Sequence, residues 1–221
     1  MNLIIMLTNH DVTVPNAMEV FDACCDLPVQ HWGFKDVGLP EAQMKQLVSR
    51  MKACGKTTYL EVVTYTEEEC LRGARLAIEC GFDYLMGTLY YPSVGRLFQG
   101  SSTKYLPFCG KVWGSPSILG ESITGIVADA ERLAKSEGVS GLDLLAYRFP
   151  GDVPALIRTY MSQIKLPTVI AGSIDSTQRL DFMKEVRPWG FTIGSALFAS
   201  KFKAGGSVRE NIQTVVDYLS K

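Results

Sequence analysis

The sequence carries no excess of either charge, few histidines and no long apolar run. It has 22 Lys and Arg against 23 Asp and Glu over 221 residues, a formal net charge of −1. No basic run or stripe of arginines between aromatics occurs, so nucleic-acid binding has no electrostatic support. No segment approaches the apolar length that spans a bilayer, so no membrane partner is expected. The apolar start Leu3–Leu7 is too short for the core of a signal peptide and lacks a charged flank, which makes the cytoplasm the expected location. The six cysteines (24, 25, 54, 70, 80 and 109) include no Cys-x-x-Cys pair. They read as small hydrophobes packed inside the fold. No His/Asp/Glu cluster has the spacing of a ligand set, and no metal is expected. The stretch Thr8–Pro15 holds no glycine. The turn after the first strand therefore lacks a dinucleotide fingerprint, and no nicotinamide or other cofactor is expected.

What is present is alternation. Short β-branched runs and amphipathic helical stretches follow one another from end to end. The strands are expected at Leu3–Thr8, Val29–Lys35, Thr57–Val63, Tyr84–Met86, Tyr105–Cys109, Leu142–Tyr147, Thr168–Ile174 and from Phe191. Pro40 opens a helix over Glu41–Ala53, and Thr66 with Glu69 forms a capping-box signal for Glu67–Cys80. Links this short between strand and helix imply parallel neighbours. An open doubly wound sheet would want a glycine-rich first turn, so the expected fold is a single (β/α)8 barrel domain over residues 1–221. The longest irregular piece, Gly110–Glu121, is a candidate mobile lid.

A barrel of this type keeps its active site at the C-terminal strand ends. Side chains alternate along a strand, so Trp32 and Phe34 share the outward face of the second strand while Lys35 points inward. On the third strand Leu60 and Val62 go outward and Glu61 inward, beside Lys35. An ammonium next to a carboxylate can move a proton beside a carbonyl. A desolvated lysine could instead form a Schiff base, and a structural ion pair, with Asp36 for example, is the bland alternative. Asn9 after strand one, Asp143 on strand six and Arg148 at its end are candidate substrate contacts; Asp11 reads equally well as a turn residue or cap. Thr64, Thr88, Tyr90 and Tyr91 are lesser candidates, and His31 reads as a hydrogen-bonded interior histidine. Two late strands each stop at Gly-Ser, Gly172-Ser173 and Gly194-Ser195, and a short helix follows the second. Bare backbone amides at such ends can cradle a phosphate.

With Ala171-Gly172-Ser173-Ile174 and Ile193-Gly194-Ser195-Ala196-Leu197 in those places, the chain resembles the ribulose-phosphate-binding barrel superfamily. There an (A/S)GGI-like turn and a (V/I)GxA(L/I) turn hold the substrate phosphate. The resemblance implies a small phosphorylated sugar or related metabolite as substrate, and an isomerase or epimerase working by metal-free acid/base chemistry. The resemblance puts Gly172, Ser173, Gly194 and Ser195 on the phosphate; Lys35 and Glu61 are taken as the reacting groups from their inward placement, since the family's lysine and glutamate stand at other strand positions. The superfamily's histidine-pathway isomerase has an aspartate at the end of strand one, where this chain has Asn9. A lyase with Lys35 as nucleophile and a non-catalytic phosphometabolite binder are the alternatives. A homo-oligomer is also open, though no apolar stripe in the sequence identifies an interface.

Overall fold

The computed structural model describes residues 1–221. Numbered along the chain, its strands are β1 (Asn2–Met6), β2 (Thr8–Asn9), β3 (Val12–Thr13), β4 (His31–Lys35), β5 (Thr57–Val62) and β6 (Tyr84–Gly87). They continue as β7 (Lys104–Leu106), β8 (Lys111–Trp113), β9 (Ile118–Gly120), β10 (Leu142–Leu144), β11 (Thr168–Ile170) and β12 (Gly190–Ile193). Eight of them form one parallel sheet in the order β10-β11-β12-β1-β4-β5-β6-β7. Backbone bonds close its two edges: Ser140 N–H donates to Tyr105 O and Asp143 N–H to Pro107 O, both at 2.9 Å. The sheet is thus a (β/α)8 barrel, the fold expected from the sequence, and the doubly wound alternative is excluded.

The helices are α1 (Ala17–Asp22), α2 (Glu41–Ala53), α3 (Glu67–Glu79), α4 (Pro92–Leu97), α5 (Ile123–Leu133), α6 (Val153–Gln163), α7 (Thr177–Val186), α8 (Ser195–Phe198) and α9 (Val208–Leu219). Side-chain caps start five of them, from Thr66, Ser122, Asp152, Ser176 and Ser207, each accepting from the amide three residues on. Between sheet and helices lies the main core. There Trp32 and Phe34 are fully buried, and Phe21 and Phe82 meet them edge-on at 5.2 Å between ring centres. Burying such rings contributes about 2–3 kcal/mol each, so the outward aromatics fix which face of β4 turns in. A second, smaller core of Ile4, Met6, Tyr59, Met86, Leu106 and Val169 fills the barrel itself.

The structure departs from the expected elements: the strands expected at Leu3–Thr8, Val29–Lys35, Tyr105–Cys109 and Thr168–Ile174 span Asn2–Met6, His31–Lys35, Lys104–Leu106 and Thr168–Ile170. Gly110–Glu121 is a two-stranded hairpin, β8–β9, rather than an irregular piece. Residues Thr8–Thr13 form a second hairpin, β2–β3, whose tip is His10-Asp11 at φ of 49° and 63°. Strand β10 ends at Leu144 and a 3₁₀ turn takes Ala146–Arg148, so the strand alternation extended to Tyr147 does not hold.

Candidate functional site

Lys35 and Glu61 are directly opposite in the β4–β5 register. Both point into the barrel, each 8% exposed, with Nζ 3.8 Å from Glu61 Oε1. Lys35 also donates to Asp11 Oδ1 at 2.9 Å. Burial alone would lower the lysine, but Glu61 and Asp11 outweigh it and leave its pKa raised above the ordinary value. The group is held as an ammonium. Its second partner is Asp11 and not Asp36, whose carboxyl is pushed up to about 6 by burial.

Asp143 lies beneath this pair. It is 0% exposed, and neither carboxyl oxygen has a hydrogen-bond partner. Burial pushes its pKa well up, Glu61 adds to the rise, and Lys35 opposes it. A protonated acid is far cheaper to hold there than a carboxylate. Expected as a substrate contact, the residue is not among those that line the cavity.

The β2–β3 hairpin hangs over the pair. Thr13 anchors it, its hydroxyl donating to Lys35 O at 2.8 Å and accepting from Lys35 N–H at 2.9 Å. His10 N–H donates to Ser195 Oγ at 3.0 Å. Asp11 is thereby carried to the mouth, where Arg148 Nη2 stands 3.3 Å from its second oxygen. Burial would raise the Asp11 carboxyl, but Lys35 and Arg148 together hold it below the usual range. Asn9, expected as a substrate contact, sits on the same hairpin and is not among the residues that line the cavity. Thr88 is spent on Tyr105, hydroxyl to hydroxyl at 2.7 Å, and Tyr91 on the Tyr65 carbonyl at 2.8 Å. His31 pairs with the Tyr59 hydroxyl at 2.7 Å inside the barrel.

Across the mouth are the ends of β11 and β12. The backbone amides of Gly172, Ser173, Ile174 and Gly194 donate to no group of the protein. Gly172 (φ 85°) and Ser173 (φ 48°) turn the chain through the left-handed region. Arg179 fixes this turn, donating to the Ser173 carbonyl and, at 2.9 Å, to Asp175, with its guanidinium 4.5 Å above the Tyr147 ring. At Gly194 any Cβ would come within 2.6 Å of Thr8 Oγ1, so only glycine lets the hairpin lie this close.

These parts enclose a cavity of about 210 Å³, with Lys35 and Glu61 on its floor, Arg148 at its side and Gly172, Ser173, Gly194 and Ser195 opposite. Thr8, Ser117, Asp175, Thr192 and Lys201 also line it and are not singled out in the sequence. Thr8 and Lys201 carry no motif signal, and Ser117 arrives on the β8–β9 hairpin, held where the Tyr65 hydroxyl meets its Oγ at 2.8 Å. No group of three or more His, Cys, Asp or Glu is arranged to hold a metal ion. An ammonium, a carboxylate and a row of free amides around one small space can bind an anion and move a proton near it.

No protein-family model matches the sequence, and no curated protein is similar to it. Solved structures are. Orotidine 5'-phosphate decarboxylase from Pyrococcus horikoshii OT3 superposes with a TM-score of 0.71 at 12% identity, covering 99% of each chain. N-(5'-phosphoribosyl)anthranilate isomerase from Pyrococcus furiosus gives 0.67 at 10% identity, covering 100% of this chain and 98% of that one. Tryptophan synthase from M. tuberculosis gives 0.65 at 12%, covering 99% and 91%. At these identities the likeness is one of fold.

Proposed function

We propose that this chain is an isomerase or epimerase of a small phosphorylated sugar or related metabolite, working by proton transfer between Glu61, Lys35 and a substrate carbonyl. The observation that carries the reading is the Lys35–Glu61 pair on the floor of a cavity whose opposite wall is a row of unpartnered amides. The phosphate would take the amides of Gly172, Ser173 and Gly194 with the hydroxyl of Ser195, which leaves the carbon chain lying over the pair. Glu61 then accepts the proton from the carbon next to the carbonyl, and the Lys35 ammonium stabilises the developing enolate oxygen. Return of the proton to the former carbonyl carbon, with the proton of the neighbouring hydroxyl passing to the former carbonyl oxygen by way of Lys35, completes an isomerisation. A single carboxylate at the floor suits this transfer along one face better than inversion, which needs a donor on each face. Phosphate held away from the reacting carbon supplies orientation. Two of the similar barrels are named for phosphorylated ribose compounds, which agrees with a phosphate in this cup.

A Schiff-base lyase is the weaker reading, because the nucleophile must be a neutral amine and Lys35 is held as an ammonium. The test has two arms. Sugar phosphates, their dephosphorylated forms and inorganic phosphate are screened for a rise in melting temperature, which at a hundred times Kd corresponds to about 2.7 kcal/mol. Hits are then incubated in deuterium oxide. A phosphate-dependent shift with exchange at the carbon beside the carbonyl is expected. Glu61→Gln should cut exchange by about 10²–10⁴-fold while keeping the shift. A shift without exchange would mean a binder that lacks the chemistry, a borohydride-trapped adduct would mean the lyase, and no shift would remove the cup.

A further inference from the structure

The end of the barrel opposite the cavity holds a pair of thiols that the proposed chemistry does not use. Cys25 lies on the link from α1 into β4, and Cys54 caps the C-terminus of α2 just before β5. Both are half-buried and free, whereas packing as a small buried hydrophobe was expected of Cys54. Four bonds pin the two links to each other. Arg50 Nε donates to Asp22 Oδ1 at 2.7 Å, Gln30 Nε2 to Gly55 O at 2.6 Å, and Lys56 Nζ to Leu27 O at 3.3 Å and Val29 O at 2.9 Å. Within this clamp the Cys25 thiol reaches the Asp22 carbonyl at 3.5 Å, and the Asp22–Arg50 pair sets it beside the end of α2, where Cys54 is the C-cap.

The other cysteines lack this setting. Cys24, next in sequence, is 1% exposed, and burial pushes its thiol up to about 11. Cys70 and Cys109 are buried, and Cys80 is half-buried beside Lys45 and Glu41, with no thiol among the groups around it. Oxidation of a thiol needs access, and a disulfide needs a second thiol within reach. Only the Cys25–Cys54 pair combines the two; burial and the neighbouring thiol raise the Cys25 pKa, and the Arg50 guanidinium opposes the rise.

We propose that Cys25 and Cys54 form a reversible redox-modification site, oxidised by hydrogen peroxide or an organic hydroperoxide to a disulfide that staples the first two βα units together. One thiolate attacks the peroxide, the O–O bond breaks, and the products are a sulfenic acid and water (an alcohol from an organic hydroperoxide). The second thiolate then attacks the sulfenic sulfur; the S–S bond forms, the S–O bond breaks, and hydroxide leaves as water. Two electrons pass from the sulfur pair to one peroxide, and any dithiol returns the pair to its reduced form. The bridge closes the loop from residue 25 to residue 54, so it restricts the unfolded chain more than the folded one. It sits on links at the face away from Lys35 and Glu61, so it acts on stability and not on the cavity.

The experiment uses the full chain treated with a small molar excess of hydrogen peroxide. Thiols titrated under denaturing conditions should fall from six to four. Peptide mapping should find a Cys25–Cys54 cross-link, the melting temperature should rise, and dithiothreitol should reverse all three. Cys54→Ser should leave a sulfenic acid at Cys25, trapped by dimedone, with no rise in melting temperature. Cys24→Ser should behave like the unaltered protein. A cross-link through Cys24, six thiols remaining after treatment, or an oxidised form that melts lower than the reduced one would each overturn the proposal.

Discussion

A carboxyl group with neither exposure nor a hydrogen-bond partner, as at Asp143, makes the stability of the fold depend on pH in a definite direction. Its pKa is raised in the folded state, so between the unfolded and folded values the native chain binds the extra proton. Its contribution is complete below the unfolded value of about 3.9 and is lost as pH rises through the folded one. Asp143→Asn removes that slope. In urea unfolding the variant should gain on the unaltered protein as pH is raised from about 5 to 8, and show no such gain near the unfolded carboxylate value. Lys35 poses the converse case. Lys35→Met leaves Glu61 buried without its cation and should cost about 3–5 kcal/mol, part of which Glu61→Gln in the same chain should restore. The inward placement of both residues was legible because Trp32, Phe34, Leu60 and Val62 claim the opposite face. Asp11 was not legible as their partner. Its reach depends on a hairpin turn made by His10 and Asp11 at positive φ, where the usual glycine or asparagine signal is missing.

Among the elements, the long helices and the central strands could be read from periodicity and caps, since each has a buried stripe and a start signal. The pieces that could not be read are short. Strand β10 is three residues long and gives way to a 3₁₀ turn, and both hairpins are set by contacts to distant segments. The first strand of the β2–β3 hairpin rests on Gly194 through Thr8, which gives an element-scale prediction. Gly194→Ala places a methyl 2.6 Å from Thr8 Oγ1 and should push the hairpin off the end of β12. The phosphate-dependent thermal shift should then weaken by at least about tenfold in affinity, or ~1.4 kcal/mol, in a chain that still folds. Ser207→Ala is the matching control. It removes the capping box of α9, whose N-cap does not line the cavity, and should cost about 1 kcal/mol of stability without changing that affinity.

The whole molecule is a ring of eight strands whose joints are unequal. Seven adjacent pairs carry strand ladders, while β7 and β10 meet through the isolated bridges Tyr105–Val139 and Phe108–Asp143, with the β8–β9 hairpin and α5 inserted between them. Sparse pairing is where a barrel opens first. Hydrogen exchange should therefore be faster at the Cys109, Ser140 and Asp143 amides than along β4 and β5, and equal protection all round would show that the seam is as firm as the rest. The count of eight units and the late Gly-Ser ends made the barrel readable from sequence, but an uneven closure leaves no trace there. The charges around the cavity balance in the same hidden way. Lys35, Arg148 and Lys201 face Asp11, Glu61 and Asp175, three against three. An anionic ligand arriving at this mouth meets no net attractive field from side chains, and its charge must be met by neutral amides at short range. Its affinity should then change little with ionic strength, unlike that of a basic cleft, and capture should proceed without electrostatic steering.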